Sequence, residues 1–500
     1  MSSASRVVRR RTVLRAAGAT GAVPLLPGLA GCDAGGTSAE RPPGDGPRIL
    51  DLTFGPAERF RPFELLAPGF EQLREGAGRV VGSQRTDAVP LAPFVAVELR
   101  VGVTTADGVA AGLSTPAGDS VLATYRPEAG TVAIEVAVGG APELVAEAPA
   151  PTGGPHGFAF VLCENQVTVL ADAGDGWQPL VSERDAVSAL VDMRDPAILS
   201  GYAFSYGTAT GTGELLLDRV AAGPFGCTGL RDPHLVQQAD GTPVVRDGRA
   251  YLTFTCAGMG FFQQAHWGVF TLDLADPTEV TQVAQLYSHR DGLLLGDHAG
   301  QLVLTDDGAS FAGVSSWGDF DGDGVHVRHT STTNDLLSGV HLLETEPLDL
   351  PTDVSSWDPS FTRIDDRWYV AFVESPSQDP FRFHPALAVG PAGAEPAVDL
   401  ALVGVDDSMQ EGEGPILTEV DREPYLLASD KDEESYPVYD LDVQRLGTLD
   451  APYVASNIPH PQLVPLPDGG YLMVTFDGTQ YAEDVLGYGG HGDVVVLRST

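Results

Sequence analysis

The strongest constraint on the fold is a repeat in the second half of the chain. Five segments share one grammar: a polar residue often followed by Pro or Gly, then a strand, a turn and a second strand. They begin "DPHLVQQADGTPVVRDGRAYLTFT" at Asp232, "DHAGQLVLTDDGASFAGVSSW" at Asp297, "DPSFTRIDDRWYVAFVES" at Asp358, "EGPILTEVDREPYLLASD" at Glu413 and "HPQLVPLPDGGYLMVTFD" at His460. The intervals are 65, 61, 55 and 47 residues. Repeats of this size built from short strands predict a β-propeller, here with five blades. The innermost strand of each blade then starts near one mouth of a central channel. The five leading side chains, three Asp, one Glu and one His, are therefore expected to share one cavity.

Upstream, residues 48–222 show almost no helical period. "FVAVELRVGV", "TVAIEVAVGG" and "PHGFAFVLCENQVTVLADAG" alternate apolar and polar residues and are separated by Gly, Pro, Asn and Asp. This predicts an antiparallel β-sandwich of the jelly-roll kind. The whole chain is thus all-β, with the sandwich at 48–222 followed by the five-bladed propeller at 223–500. The strand order resembles laminin-G and concanavalin-like modules, which implies a carbohydrate-binding appendage. A structural spacer is the competing reading.

The first 47 residues read as targeting sequence. Arg10-Arg11-Thr12-Val13-Leu14-Arg15 fits twin-arginine export, and Leu29-Ala30-Gly31-Cys32 resembles a bacterial lipobox. Residues 1–32 are expected to be a lipoprotein signal peptide, with Cys32 becoming the lipidated N-terminus. Residues 33–47, small, polar and Pro-rich, read as a flexible tether. The protein is therefore expected on the outer face of the bacterial cell membrane, held by lipid. A monomer is expected.

Charge narrows the partners. The chain has 29 Lys and Arg against 69 Asp and Glu. The signal carries five Arg and no acid, so the mature chain has 24 basic residues and a net charge of about −45. Such a surface repels nucleic acid and anionic substrates and accepts neutral sugars and divalent cations. Besides Cys32, three cysteines remain, Cys163, Cys227 and Cys256. Cys227 and Cys256 make the most local pair, but three buried thiols fit equally.

Three carboxylates around a polar funnel suit glycoside hydrolysis. That reaction needs a protonated acid on the leaving oxygen and an ionised carboxylate on the other face of the ring. A third carboxylate can hold the acid's pKa up by like-charge repulsion. The series Arg231-Asp232-Pro233, Trp357-Asp358-Pro359 and Glu411-Gly412-Glu413-Gly414-Pro415, each leading into an apolar strand, resembles the five-bladed glycosidases of the family 43 type. The resemblance covers roughly residues 225–500. It implies Asp232 as general base, Asp358 as the carboxylate that orients and tunes the acid, and Glu413 as general acid. His460-Pro461 resembles a last-blade His that sits under the funnel near a cation or water. Where many relatives open the second blade with Trp-Ala-Pro-Asp, this chain has Leu295-Gly296-Asp297-His298. The Asn-Asp-Pro-Asn and Glu-Cys signatures of family 32 and 68 fructosidases are absent.

Arg231, Asp297, His298, Trp267, Trp357 and His460 are the expected substrate contacts. Aromatic residues of "GFFQQAHWGVF", residues 260–270, can stack on sugar C–H faces or fill the core between blades. Asp319, Asp321 and Asp323 alternate before Gly324 as in a calcium loop, so a structural calcium is entertained, with a hairpin turn as the competing reading. The scattered histidines show no metal-ligand spacing, and no redox or nucleotide cofactor is implied. The expected activity is inverting hydrolysis of a neutral glycan, with Asp232 and Glu413 about 6.5–9.5 Å apart. The alternatives are a non-catalytic carbohydrate-binding lipoprotein using the same funnel, or a platform for protein partners.

Overall fold

A computed structural model of the chain describes residues 48–500 apart from 106, 141, 321–323, 455–456 and 488. The signal, the tether and Cys32 lie outside the described residues. Strand dominates; the longest described helix is Asp185–Leu190. No described helix is long and apolar enough to cross a membrane.

Two sheets make up most of the first half. One runs Trp177–Glu183, Gln166–Asp172, Gly157–Cys163, Phe94–Val103, Glu214–Cys227 and Glu64–Leu66, with Glu71–Val81 also paired to Glu214–Cys227. The other runs Ser83–Arg85, Ala203–Gly207, Val109–Ser114, Ser120–Arg126, Thr131–Ala137 and Glu143–Pro149. The two share one core. Val97, Leu99, Phe158 and Phe160 of the first meet Val109, Val121 and Ile134 of the second.

The opposite face of the first sheet is also apolar. Phe94, Ala96, Ala159, Val161 and Cys163 form a separate cluster with Phe225, Met259 and Tyr287. Side chains alternate across a strand, so a sheet buried on both faces needs apolar residues at both parities. That is why "FVAV" and "GFAFVLC" are continuous apolar runs.

The second half forms five mostly antiparallel sheets in chain order. Their leading strands are Leu230–Leu235, His298–Leu304, Ser355–Ile364, Gly412–Val420 and Gln462–Pro465. Each leading strand touches the next, and the fifth touches the first, so the five close a ring. An apolar cluster fills each gap between neighbouring sheets. The first gap holds Trp267 and Val269 against Leu302 and Ala312. Trp267 is fully buried there, in the core and away from the cavity, which corrects its expected role as a substrate contact.

One boundary differs from the sequence reading. Strand Phe54–Phe60 pairs antiparallel with His491–Ser499 and completes the fifth sheet. Residues 54–60 therefore belong to the ring, not to the two-sheet module expected over 48–222. Ile49, Leu52 and Phe54 anchor them in the core between the fourth and fifth sheets. The ring is thus closed by pairing chain segments from opposite ends of the described sequence. The three described cysteines are buried free thiols. Burial pushes Cys163 and Cys227 up to about 12, so neither is a thiolate at neutral pH.

Candidate active site

Four of the five leading strands carry the same backbone event. Pairing with the second strand slips between Arg231 and His234, His298 and Gln301, Trp357 and Ser360, and Glu413 and Ile416. Within each slip one residue takes left-handed φ: Asp232, Ala299 and Asp358 at 52°, and Gly414 at 62°. Such bulges re-aim side chains and concentrate at functional sites. Asp tolerates this region better than most residues, and Gly adopts it freely. Gly414 has a second reason, because a Cβ there would lie 2.5 Å from His460 Cδ2.

The bulges give a register that the sequence alignment missed. Arg231, His298, Trp357 and Glu413 are equivalent, one residue before the bulge; Asp232, Ala299, Asp358 and Gly414 occupy it. The expectation that Asp232, Asp297, Asp358 and Glu413 hold identical places is therefore corrected. Glu413 sits one place earlier and Asp297 two.

Asp232, Asp358, Glu413 and His460 nonetheless line one cavity of about 270 Å³, together with Arg231, His298 and Trp357. His460 Nε2 lies 3.3 Å from Asp358 Oδ2 and 3.7 Å from Asp232 Oδ1. Trp357 Nε1 donates to Glu413 Oε1 at 3.0 Å. The Gly414 amide donates to the Asp358 carboxylate, and the Asp358 amide donates to Ser315 Oγ at 2.9 Å. Arg231 Nε stands 3.5 Å from Asp232 Oδ2, and its Nη1 donates to the Gly489 carbonyl at 2.9 Å.

The electrostatics follow from burial. Desolvation, then the neighbouring carboxylates Glu413 and Asp232, push Asp358 well above the usual carboxylate range. Burial, then the charge of Asp232, pushes Glu413 up to about 7. Glu413 opens partly to the cavity while protein encloses the rest of it. Burial raises Asp232 too, but Arg231 and a hydrogen bond to Thr255 oppose it. Asp232 is thus the best placed of the three to carry charge at neutral pH. Burial, then Arg231, lowers His460 to about 3, so its ring is neutral. The sequence reading made Asp358 the ionised neighbour that keeps Glu413 protonated. In the structure burial and the neighbouring carboxylates push Asp358 itself upward, and the charge raising Glu413 comes from Asp232.

One wall of the cavity is aromatic. Trp317 packs against Phe262 at 4.8 Å, Phe320 at 5.2 Å and Trp357 at 5.9 Å between ring centroids, and stacks on His298 at 6.1 Å. Phe381 and Phe383 continue it beyond Trp357, and Phe381 leaves 52% of its surface in water. Lys431 and Glu411, ion-paired with each other, and Asn457 with His491 also line the cavity. Sequence reading missed Trp317, Phe320, Phe381, Phe383, Lys431 and Asn457. The available signals were the aromatics of "SSWGDF" and "FRFHP" and the fact that Lys431 is the only lysine of the chain.

Two expected contacts lie elsewhere. Asp297 is fully buried and gripped by Arg290, Nε to Oδ2 at 2.7 Å and Nη2 to Oδ1 at 2.8 Å, and does not line the cavity. Asp319, expected in a calcium loop, pairs with the same guanidinium at 2.6 Å. Asp321 and Asp323 lie outside the described residues. Among the described residues, Asp358, Glu413 and His460 bring donor atoms within 4.8 Å of one another, a spacing that fits a cation as well as shared protons.

No protein-family model and no curated protein matches the chain. Solved structures do. A GH43_1 enzyme from Xanthomonas citri is 15% identical, with a TM-score of 0.37, over 53% of this chain and 87% of that one. A family 117 glycoside hydrolase from Zobellia galactanivorans is 11% identical, with a TM-score of 0.38, over 54% and 84%. An α-L-arabinofuranosidase from Lactobacillus brevis is 14% identical, with a TM-score of 0.36, over 54% and 90%.

Proposed function

We propose that the ring of sheets is a five-bladed propeller and that the protein is an exported, lipid-anchored glycoside hydrolase. The observation that carries this is the convergence of three enclosed carboxylates with separated ionisation on one aromatic-walled cavity. Glu413, titrating near neutrality, is the general acid that protonates the leaving oxygen. Asp232, beside Arg231, is the base that deprotonates a water. Asp358 holds its proton and, with His460, fixes the floor between them. Inversion is proposed with Asp232 acting on a water rather than on the sugar, which requires the Asp232 and Glu413 carboxyl groups to stand about 6.5–9.5 Å apart.

The aromatic wall suits a neutral sugar, whose C–H face stacks on rings and whose hydroxyls reach the polar side. A net charge of −40 for the full chain disfavours a polyanionic glycan.

The test is a screen of 4-nitrophenyl glycosides and plant and bacterial polysaccharides, with wild type beside Glu413→Gln. Turnover by wild type with inverted product, seen by NMR, and its loss in the variant are expected. Binding of a glycan without any turnover would replace the hydrolase with a lectin. Anchorage is tested separately: Cys32→Ser should release an active protein from the membrane fraction of its host. Full retention there would end the lipobox reading.

A further inference from the structure

One buried carboxylate of the two-sheet module reaches the turn that builds the cavity wall. Glu164, with no exposed surface, lies at the turn between Gly157–Cys163 and Gln166–Asp172. Arg184 Nε donates to its Oε2 at 2.8 Å, and Arg194 Nη1 stands 3.3 Å from its Oε1. These bonds stay within the module. A third partner comes from the ring: Gln264 Nε2 donates to Glu164 Oε2 at 3.0 Å.

Gln264 ends the short turn Phe262–Gln264, and its side chain is spent at both ends. While Nε2 holds Glu164, Oε1 accepts the backbone amide of Phe261 at 2.7 Å. The turn is further held by Gln166 Nε2 on the Met259 carbonyl, a second bond from the same module. Its product is the placement of Phe262. That ring lines the cavity, packs on Trp317 and lies under the Arg231 guanidinium at 5.8 Å; its carbonyl sits 3.2 Å from His298 Nε2. A buried carboxylate cannot drift without losing both guanidinium partners, so its position is fixed more firmly than a surface contact would be.

We propose that Gln264, fixed by Glu164, is a positioning residue for the cavity wall, and that the two-sheet module is thereby part of the site's construction rather than a detachable appendage. The mechanical claim does not depend on what the cavity does; the kinetic consequence rests on the glycosidase reading.

The experiment compares full-length wild type, Gln264→Met and Tyr481→Phe. Tyr481 Oη donates to the Trp177 carbonyl at 2.6 Å, so its variant removes a bond between the same two regions that does not involve Gln264. Hydrogen exchange is read at the amides of Phe261 and Ala265. Gln264→Met should speed exchange there at least about tenfold at unchanged secondary structure, and Tyr481→Phe should leave it within about twofold. On whichever 4-nitrophenyl glycoside wild type cleaves, Gln264→Met should raise KM at least about fivefold with kcat within about twofold. Unchanged exchange in Gln264→Met, or equal loosening in both variants, overturns the proposal. Loosened exchange beside an unchanged KM overturns the link to the cavity. If wild type cleaves no glycoside, the glycosidase reading fails, and the exchange comparison still decides the role of Gln264.

Discussion

The two-sheet module and the centre of the ring of five sheets each bury carboxylates, and they treat them in opposite ways. In the module, Glu164 is enclosed with Arg184 and Arg194 around it. In the ring, Asp297 is handled likewise by Arg290. At the ring's centre, Asp232, Asp358 and Glu413 converge with the Arg231 guanidinium, a neutral imidazole and a lysine, Lys431, already paired with Glu411. A buried charge that lacks a partner keeps its proton instead. The lesson is that burial alone does not mark a site. Burial with too few cations does, because it leaves protons able to move near neutral pH.

The sharpest way to break this contrast is kinetic. Glu413→Gln keeps the shape and removes the proton donor. A fall in kcat of about 10³-fold is expected on a glycoside with a poor leaving group, and a smaller fall on an activated aryl glycoside, which needs less protonation. Equal losses on both substrates would remove Glu413 from the acid's role.

Stability should show the reverse ranking. Arg290→Met leaves Asp297 buried without its partner and should cost about 3–5 kcal/mol, read by denaturant unfolding. Asp358→Asn replaces a carboxyl that burial and its neighbours push toward the neutral form by a neutral amide, and should stay within about 1 kcal/mol of wild type. A large loss in Asp358→Asn would mean that its carboxylate is ionised and structural.

The pH dependence of stability sharpens the point. Glu413 rises from an ordinary 4.5 to about 7 on folding. The folded state therefore holds its proton more tightly than the unfolded one. Its contribution is complete below about 4.5 and is lost as pH rises through about 7. Wild type should lose on the order of 2 kcal/mol between about pH 5 and pH 8, less than the full shift because cavity water screens the charge. Glu413→Gln should flatten that slope, and an unaltered slope would place the titration elsewhere. A smaller effect separates the two Asp residues. Asp232→Asn should move the Glu413 titration to lower pH, since Asp232 is the charge that raises it, and Asp358→Asn should move it less. The opposite order, followed by ¹³C NMR of the glutamate carboxyls, would restore Asp358 as the tuning group.

Much of the ring was legible because Asp-Pro and Gly-Pro before an apolar run mark the bulge directly. The one-residue offset of Glu413 was not. Asp and Gly both satisfy left-handed φ, so matching carboxylate to carboxylate hid the backbone register. Asp297 misled for a related reason: an acid ahead of a strand fits the grammar, and only its contact with Arg290, seven residues upstream, shows its charge already used. Phe54–Phe60 was illegible as part of the ring because its partner, His491–Ser499, is over four hundred residues away. Trp267 reads equally as wall or core in sequence, and packing between two sheets decides for core.

The central claim, that the ring's centre holds a carboxylic acid poised near neutrality, is tested most directly by titrating ¹³C-carboxyl-labelled glutamate in wild type and Glu413→Gln. The account predicts one glutamate resonance titrating near pH 7 in wild type and missing from the variant. Glutamates that all titrate below about pH 5 in wild type would contradict it.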